Sequence, residues 1–232
     1  MRIDKYLSNL KYGTRSELNT LIKKGLVKVN DQVIFTNKYK IDPKTDKIEF
    51  DNEEVLFHES INIMLNKPEG YLSANKDSMH KVVVDLIGDE FKRYDLKIAG
   101  RLDLNTSGLL ILTTNGHTAH LLTSPNSEIN KVYEAVLDID LNNYQELLNG
   151  VIIKDGNSEE YLAKAIEIVK IEPFKFHITI NEGKYHQVRR MFLSLNANVL
   201  KLKRIKYGKL ELGSLEEGKY RIFDLEEIIW QI

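Results

Sequence analysis

Cysteine is absent from the 232 residues. That excludes a disulfide framework and a thiolate zinc site, and it suits a reducing cytosol. No apolar run approaches the roughly 20 residues that a bilayer-crossing helix needs, and the opening MRIDKYLSNL does not read as an export signal. The expectation is a soluble, unexported, cytoplasmic chain with no membrane partner. Neither Gly-x-x-x-x-Gly-Lys-Ser/Thr nor Gly-x-Gly-x-x-Gly occurs, which removes phosphate-cradling nucleotide hydrolysis and dinucleotide binding. Of the histidines His58, His80, His117, His120, His177 and His186, only His117 and His120 stand at helical spacing. No nearby acid or thiol completes a metal site around them. The sequon Asn105-Thr106-Ser107 has no meaning in a chain that is not exported.

An excess of positive charge is also missing: Lys and Arg number 33 against 34 Asp and Glu, for a net charge of −1. Distribution matters more than the sum for a polyanion partner. Residues 1–40 carry nine Lys/Arg against three acids, and residues 184–206 carry seven with no acid. Segregated basic faces of this kind point toward nucleic acid, with acidic stretches such as DNEE and DLEEI kept elsewhere.

The first 60 residues read as a small self-contained unit. Ile3, Leu7 and Leu10 fall at helical spacing. Thr14 and Glu17 have capping-box spacing for a second helix that buries Leu18, Leu21 and Ile22 and stops at Gly25. LVKVNDQVI predicts a hairpin about Asn30-Asp31, and the acidic residues 41–60 read as an edge and linker. From Ile61 onward strand-like runs dominate: INIMLN, GLLILTT, KVYEAVLDI, YLAKAIEIV and FKFHITI. HTAHLLTS has room for a short helix, HQVRRMFLSL has helical periodicity, and Asp224 and Glu227 can cap a last helix carrying Ile228 and Ile229. NVLKLKRIKYGKLEL alternates as a strand with one wet, positive face would. No repeat and no low-complexity segment is present. The sum is a small unit over the first 60 residues, then a mixed α/β domain of about 170 residues.

One acid, Asp103, lies between Arg101 and a polar, turn-prone stretch in AGRLDLNTSGLLILTTNG. A paired-carboxylate glycosidase would need a second acid from elsewhere in the chain. A cation beside a lone aspartate keeps it ionised and acceptor-only, fit to be a nucleophile or an electrostatic clamp. Taken bare, an Arg-Leu-Asp tripeptide is ordinarily an exposed ion pair, so the chemistry rests on its context.

That context resembles a known family. GRLDLNTSGLLILTTNG closely resembles the catalytic motif of the RsuA-type pseudouridine synthases, which isomerise a specific uridine in ribosomal RNA. LNKPEGYLS (65–73), KVYEAVL (131–137) and EGKYHQVRRMF (182–192) follow in that family's order. The N-terminal unit resembles the alpha-L RNA-binding domain that these enzymes share with a ribosomal protein, so the resemblance covers nearly the whole chain. It implies an α+β chain, a small α/β RNA-binding domain over residues 1–59 and then a mixed, mainly antiparallel sheet catalytic domain over residues 60–232, and an isomerase that breaks the bond from uracil N1 to the ribose and rejoins the base through C5, with no cofactor and no metal.

Carried over position by position, the resemblance makes Asp103 the catalytic aspartate and Tyr133 the tyrosine that stacks on the flipped-out target base and is placed for proton transfer. It places the arginine that pairs with the aspartate in QVRRM, as Arg189 or Arg190. Successive helix positions point about 100° apart, so only one of them can face Asp103. Lys67 and Arg101 are expected to contact the RNA backbone or order the loop. Arg15, Lys23, Lys24, Lys28, Lys184, Gln187, Lys203 and Arg204 complete the expected RNA-binding set, and Gly100 and Gly108 are expected to let the loop turn tightly close to RNA. The wording KYHQVRRM and the N-terminal unit are most similar to enzymes acting on small-subunit (16S) ribosomal RNA. The implied substrate is a uridine in a partly assembled small subunit, bound by a monomer. Action on large-subunit (23S) RNA, or an RNA-binding assembly factor without turnover, are the alternatives. Attack on the sugar or base and abstraction of a sugar proton both remain open to one carboxylate.

Overall fold

The computed structural model describes residues 1–55, 60–92, 94–124 and 127–228. His58 and Ile229 lie outside them. Two compact units result: Met1–Ser60 with Asp89–Asp95, and Ile61–Gly88 with Leu96–Ile232.

In the first unit, helix α1 (Ile3–Asn9) buries Ile3, Tyr6 and Leu7 along one stripe. Helix α2 (Arg15–Lys23) starts with the capping box anticipated from Thr14 and Glu17, in which each satisfies the other's backbone N–H. Gly25 ends it at φ +79°, where a Cβ would strain the backbone. Strands β1 (Val27–Val29) and β2 (Gln32–Ile34) form the hairpin, with Asn30 and Asp31 both at positive φ as a tight two-residue turn requires. β3 (Ile48–Phe50) then pairs with β1, and β4 (Glu53–Glu54) with β3. The expectation of a linker over residues 41–60 is corrected there. Ile41, Ile48 and Val55 are core residues, and the alternation of Ile48 and Phe50 about Glu49 is a strand pattern that the surrounding acids obscure. Helix α3 (Asp89–Lys92) belongs to this unit although it lies inside the segment read as the second domain, and Tyr94 packs on the unit's core.

The second unit is built on a nine-stranded sheet. Its strands are β5 (Asn62–Lys67), β6 (Lys97–Ala99), β7 (Ser107–Thr113), β8 (Lys131–Leu137), β11 (Glu167–Glu172), β12 (Lys175–Ile180), β13 (Val199–Tyr207), β14 (Leu210–Glu211) and β15 (Tyr220–Ile222). The order is β11-β12-β8-β13-β7-β5-β15, with β6 beside β7 and β14 beside β13. Every pairing in it is antiparallel except β7 with β13. The α+β class and the mainly antiparallel sheet read from the sequence are observed.

β9 (Val151–Lys154) and β10 (Glu160–Ala163) form a separate two-stranded sheet, so YLAKAIEIV is divided between β10 and β11. Helices α4 (Gly116–Thr123), capped by the Asn115 side chain, and α5 (Glu146–Asn149) precede α6 (Gln187–Leu193). α6 drives Val188, Met191 and Phe192 into the core, where Phe192 meets Phe176 of β12 at a centroid distance of 6.0 Å. Strand register puts Phe176, Ala135, Tyr133, Leu202 and Arg204 on one face, so α6 is seated on the face that carries Tyr133. The last helix expected near Asp224 is a single 3-10 turn, Leu225–Glu227.

Candidate active site

The loop Gly100–Thr106 joins β6 to β7 and reaches the sheet beside the parallel β7–β13 pair. Its backbone is clamped from several sides. Lys67, at the end of β5 and wholly buried, donates from Nζ to the carbonyls of Pro68 (3.0 Å), Asp103 (3.0 Å) and Thr106 (2.8 Å), with Leu104 O at 3.4 Å. Ser73 Oγ donates to Leu102 O at 2.7 Å and accepts from Leu102 N at 3.1 Å. Arg204 on β13, 1% exposed, donates from Nη2 to Gly100 O (2.6 Å) and from Nε to Leu109 O (2.8 Å). Arg189 on α6 donates to Asn105 O and Val199 O, both at 2.7 Å. A loop with this many buried acceptors satisfied by charged donors has one conformation, because each lost partner leaves a desolvated polar atom.

The clamp leaves the Asp103 carboxylate 35% exposed in a cleft of about 1220 Å³. Tyr133, on the cleft wall, is directly opposite Arg204 in the β8–β13 register, and its hydroxyl accepts from Arg204 Nη1 at 3.4 Å. Lys131, two residues before it on the same face of β8, donates from Nζ to Asn181 O at 2.7 Å and lies 5.3 Å from the centre of the Tyr207 ring. Burial pushes the Lys131 ammonium down to about 8, helped by Arg204 and opposed by Glu182. Burial likewise pushes Lys67 down to about 8, against the attraction of Glu69 and Asp103. It raises the Tyr207 hydroxyl to about 12, while that hydroxyl donates to Leu122 O at 2.5 Å. The Arg189 guanidinium is lowered by burial, with Asp103 and then Glu69 opposing.

The two adjacent arginines diverge as helix geometry requires. Arg189 turns to the Asp103 loop, whereas Arg190 donates to Lys154 O and lies 4.9 Å from the Tyr185 ring centre. Arg101 is exposed on the rim of the cleft and Lys184 is exposed 3.5 Å over the Tyr161 ring. Lys203 is half-buried on β13. In the first unit Arg15, Lys23 and Lys24 are exposed, while Lys28 is held by Asn52 at 3.0 Å and Glu49 at 3.5 Å.

Two of the expected RNA contacts, Arg204 and Gln187, are corrected, and of the two roles expected of Lys67 the ordering of the loop is the one observed. Lys67 and Arg204 are spent on backbone carbonyls inside the protein and have no free donor face for phosphate. Gln187, 3% exposed, accepts from Lys184 N and donates to Glu182, so it fixes the turn before α6. The wet, positive face expected of β13 is accordingly reduced, since Arg204 and Tyr207 point into the core. The glycines of the loop approach protein instead of RNA. A Cβ on Gly100 would come within 2.8 Å of the Tyr207 ring, and one on Gly108 within 2.2 Å of Arg204 O.

Among the described residues neither Arg101 nor either helix arginine comes within ion-pair distance of the Asp103 carboxylate. The side chain that does is His186, whose Nε2 lies 3.6 Å from Asp103 Oδ1. Sequence reasoning passed over this residue, because a contact across 83 positions has no local spacing signal. Its place in KYHQVRRM was the available hint. Among the described residues no group of three or more His, Asp or Glu side chains is placed to hold a metal ion. No described helix is long and apolar enough to cross a membrane.

Residues 61–194 match the family described as RNA pseudouridylate synthase, and residues 1–46 match the S4 domain. Over 231 residues the chain is 37% identical to the uncharacterized RNA pseudouridine synthase YtzG of Bacillus subtilis, covering 98% of this chain and 97% of that protein. It is 36% identical over 235 residues to the ribosomal small subunit pseudouridine synthase A of Vibrio cholerae, covering the whole of both. A solved structure, described as a crystal structure of pseudouridylate synthase, superposes with a TM-score of 0.66 at 33% identity over 98% of each chain.

Proposed function

The chain belongs to the RNA pseudouridylate synthase family and is a pseudouridine synthase with an S4 domain at its N-terminus, and we propose that its substrate is a specific uridine of small-subunit (16S) ribosomal RNA. The name carried by the Vibrio cholerae relative, matched end to end, supports that substrate. The single observation that carries the chemistry is the Asp103 carboxylate, presented to an open cleft by a backbone that Lys67, Ser73, Arg189 and Arg204 hold rigid.

In this reading Asp103 is the catalytic carboxylate, acting on the sugar or the base of a uridine withdrawn from its stack. Extrusion costs a few kcal/mol, which an aromatic surface such as Tyr133 offsets by stacking on the base. The N1–C1′ bond breaks and uracil leaves the ribose as an anion, which the nearby cations stabilise. Lys131 and Arg204, on the face of the sheet that carries Tyr133, are the buried ones. Arg189, and not Arg190, serves Asp103, because its guanidinium holds the backbone of the same loop. The base turns and rejoins C1′ through C5, and the C5 proton is lost while N1 takes one up, so the product is an isomer of the substrate. Arg101, Lys184 and Lys203 meet the RNA backbone at the second unit, and Arg15, Lys23 and Lys24 at the first. Two tethered contacts raise the effective concentration of the cleft at its target. The protein acts as a monomer in the cytoplasm, on a partly assembled small subunit.

The test is pseudouridine mapping on unmodified 16S and 23S transcripts and partly assembled subunits, treated with the wild-type protein or Asp103→Asn. One new pseudouridine in 16S RNA, absent with the variant, is the expected result. A site in 23S RNA overturns the substrate and keeps the chemistry, and turnover by Asp103→Asn overturns the role of Asp103.

A further inference from the structure

His186 occupies the N-cap of α6 with φ 53° and ψ 26°, a left-handed conformation that few non-glycine residues adopt. It has one direct ring contact, and its neighbours on both sides are held in turn. Its ring stacks on Tyr185, with centroids 3.9 Å apart and planes 18° from parallel, and the Arg190 guanidinium lies against that same tyrosine. The next residue, Gln187, is buried and bonded to both Glu182 and Lys184. The result is a rigid arm whose Nε2 ends 3.6 Å from Asp103 Oδ1.

The main chain of Asp103 is fixed, since its carbonyl accepts from Lys67 and from Thr106 N. Its side chain still has two torsions, and the side chain within ion-pair distance of its carboxylate among the described residues is His186. Oδ2 has no hydrogen-bond or ion-pair partner among the described residues. We propose that His186 is a positioning residue for the reaction: its Nε2 holds Asp103 Oδ1, so that Oδ2 is the oxygen presented to the uridine. The 3.6 Å separation closes to a hydrogen bond, directly or through one water, when RNA fills the cleft. This rests on the reading of Asp103 as the catalytic carboxylate. Orientation of a reacting group to within an ångström is worth up to about 10²-fold in rate, and an imidazole with a fixed ring supplies it without touching the substrate.

Single-turnover pseudouridine formation by the full-length protein tests the proposal, on whichever of the 16S and 23S transcripts the wild-type protein modifies. His186→Phe keeps a ring to stack on Tyr185 and removes the nitrogen. Its rate is expected to fall about 10- to 100-fold, with RNA affinity within about twofold of wild type. His186→Gln, whose amide nitrogen reaches about as far as Nε2, is expected to recover most of the loss. His186→Asn tolerates the left-handed backbone but falls short of Asp103, and it is expected to be slow at wild-type melting temperature, which separates the effect from folding. A wild-type rate for His186→Phe, or a Gln variant no faster than the Phe variant, overturns the proposal. Asp103→Asn is assayed alongside: turnover by that variant, or none by wild type, overturns the reading of Asp103 and the positioning role with it.

Discussion

Gly108 and Arg204 are partners across the parallel β7–β13 pair, at a separation that admits no side chain on the glycine: a Cβ there would lie 2.2 Å from the Arg204 carbonyl oxygen and 2.7 Å from its nitrogen. Gly108 also sits at φ +101°. Gly108→Ala therefore meets backbone that cannot swing away and a strained φ together, and is expected to cost about 3 kcal/mol or more. The measurement is the urea midpoint, and a shift equivalent to less than about 1 kcal/mol would show that the two strands can part.

Lys67→Met keeps the length of the side chain and removes the donor that three loop carbonyls share. Each orphaned acceptor costs about 1–3 kcal/mol where it stays dry, so both stability and turnover are expected to drop. RNA affinity should change by less than about threefold, because the ammonium has no access to phosphate. An affinity loss that outweighed the loss of turnover would return Lys67 to the RNA interface.

The adjacent arginines divide their work. Arg189→Ala is expected to lower the single-turnover rate about 100-fold or more, since it frees the Asn105 carbonyl and removes a cation that acts on Asp103. Arg190→Ala, which loses contacts to Lys154 and Tyr185, is expected to cost roughly tenfold or less. Rates for the two variants on the same transcript decide the assignment.

Basic residues on the rim should carry the salt dependence of RNA binding. Arg101→Ala and Lys184→Ala are each expected to lower the slope of log affinity against log salt by about 1. Arg204→Met should leave the slope unchanged in protein that remains folded. Titrations between low and physiological salt give these slopes directly, and equal slopes for all three variants would place the RNA elsewhere.

Stability should climb with alkaline pH before it falls. Lys131 is held at about 8 in the folded protein, below its ordinary value near 10.4. The unfolded chain therefore binds the extra proton between those values. The penalty of burying the ammonium is fully present below about pH 8 and is relieved as pH rises toward 10. It amounts to about 2 kcal/mol once the open side of the cleft is allowed for. Lys67 adds in the same direction. Tyr207 has the opposite sign: its hydroxyl is raised to about 12, so the stability it contributes is present below pH 10 and lost as pH rises through 12. Urea midpoints from pH 7 to 11 should show the climb and fall, with a shallower climb in Lys131→Met.

Much of this molecule is written in short-range patterns. The Thr14–Glu17 cap, the Asn30-Asp31 hairpin and the alternation in KVYEAVL each involve residues within a few positions of one another, so local sterics and side-chain capping decide them whatever the rest of the chain does. The loop around Asp103 was legible for the same reason, as one contiguous motif. Where local composition misled, as with the acids around Ile48 and Phe50, a strand partner distant in sequence overrode it.

The sequence by itself determined the mixture of helices and strands, the capped helix and hairpin of the first unit, most strand runs of the second and the presence of a lone carboxylate in a turn. Only the tertiary structure decided which charges are available. A cation in a sequence carries no mark of burial, so Arg204 read as an RNA contact and Lys67 as either an RNA contact or a loop-ordering one; the sheet order that puts β5 and β13 on either side of β7 turns both inward, where desolvation demands carbonyl partners. The choice between Arg189 and Arg190 depends on how α6 is rotated on the sheet, which is set by the packing of Val188, Met191 and Phe192. His186 meets Asp103 for that reason too: the contact joins segments far apart in the chain, and only the packing that holds both loops against one face brings them within 3.6 Å.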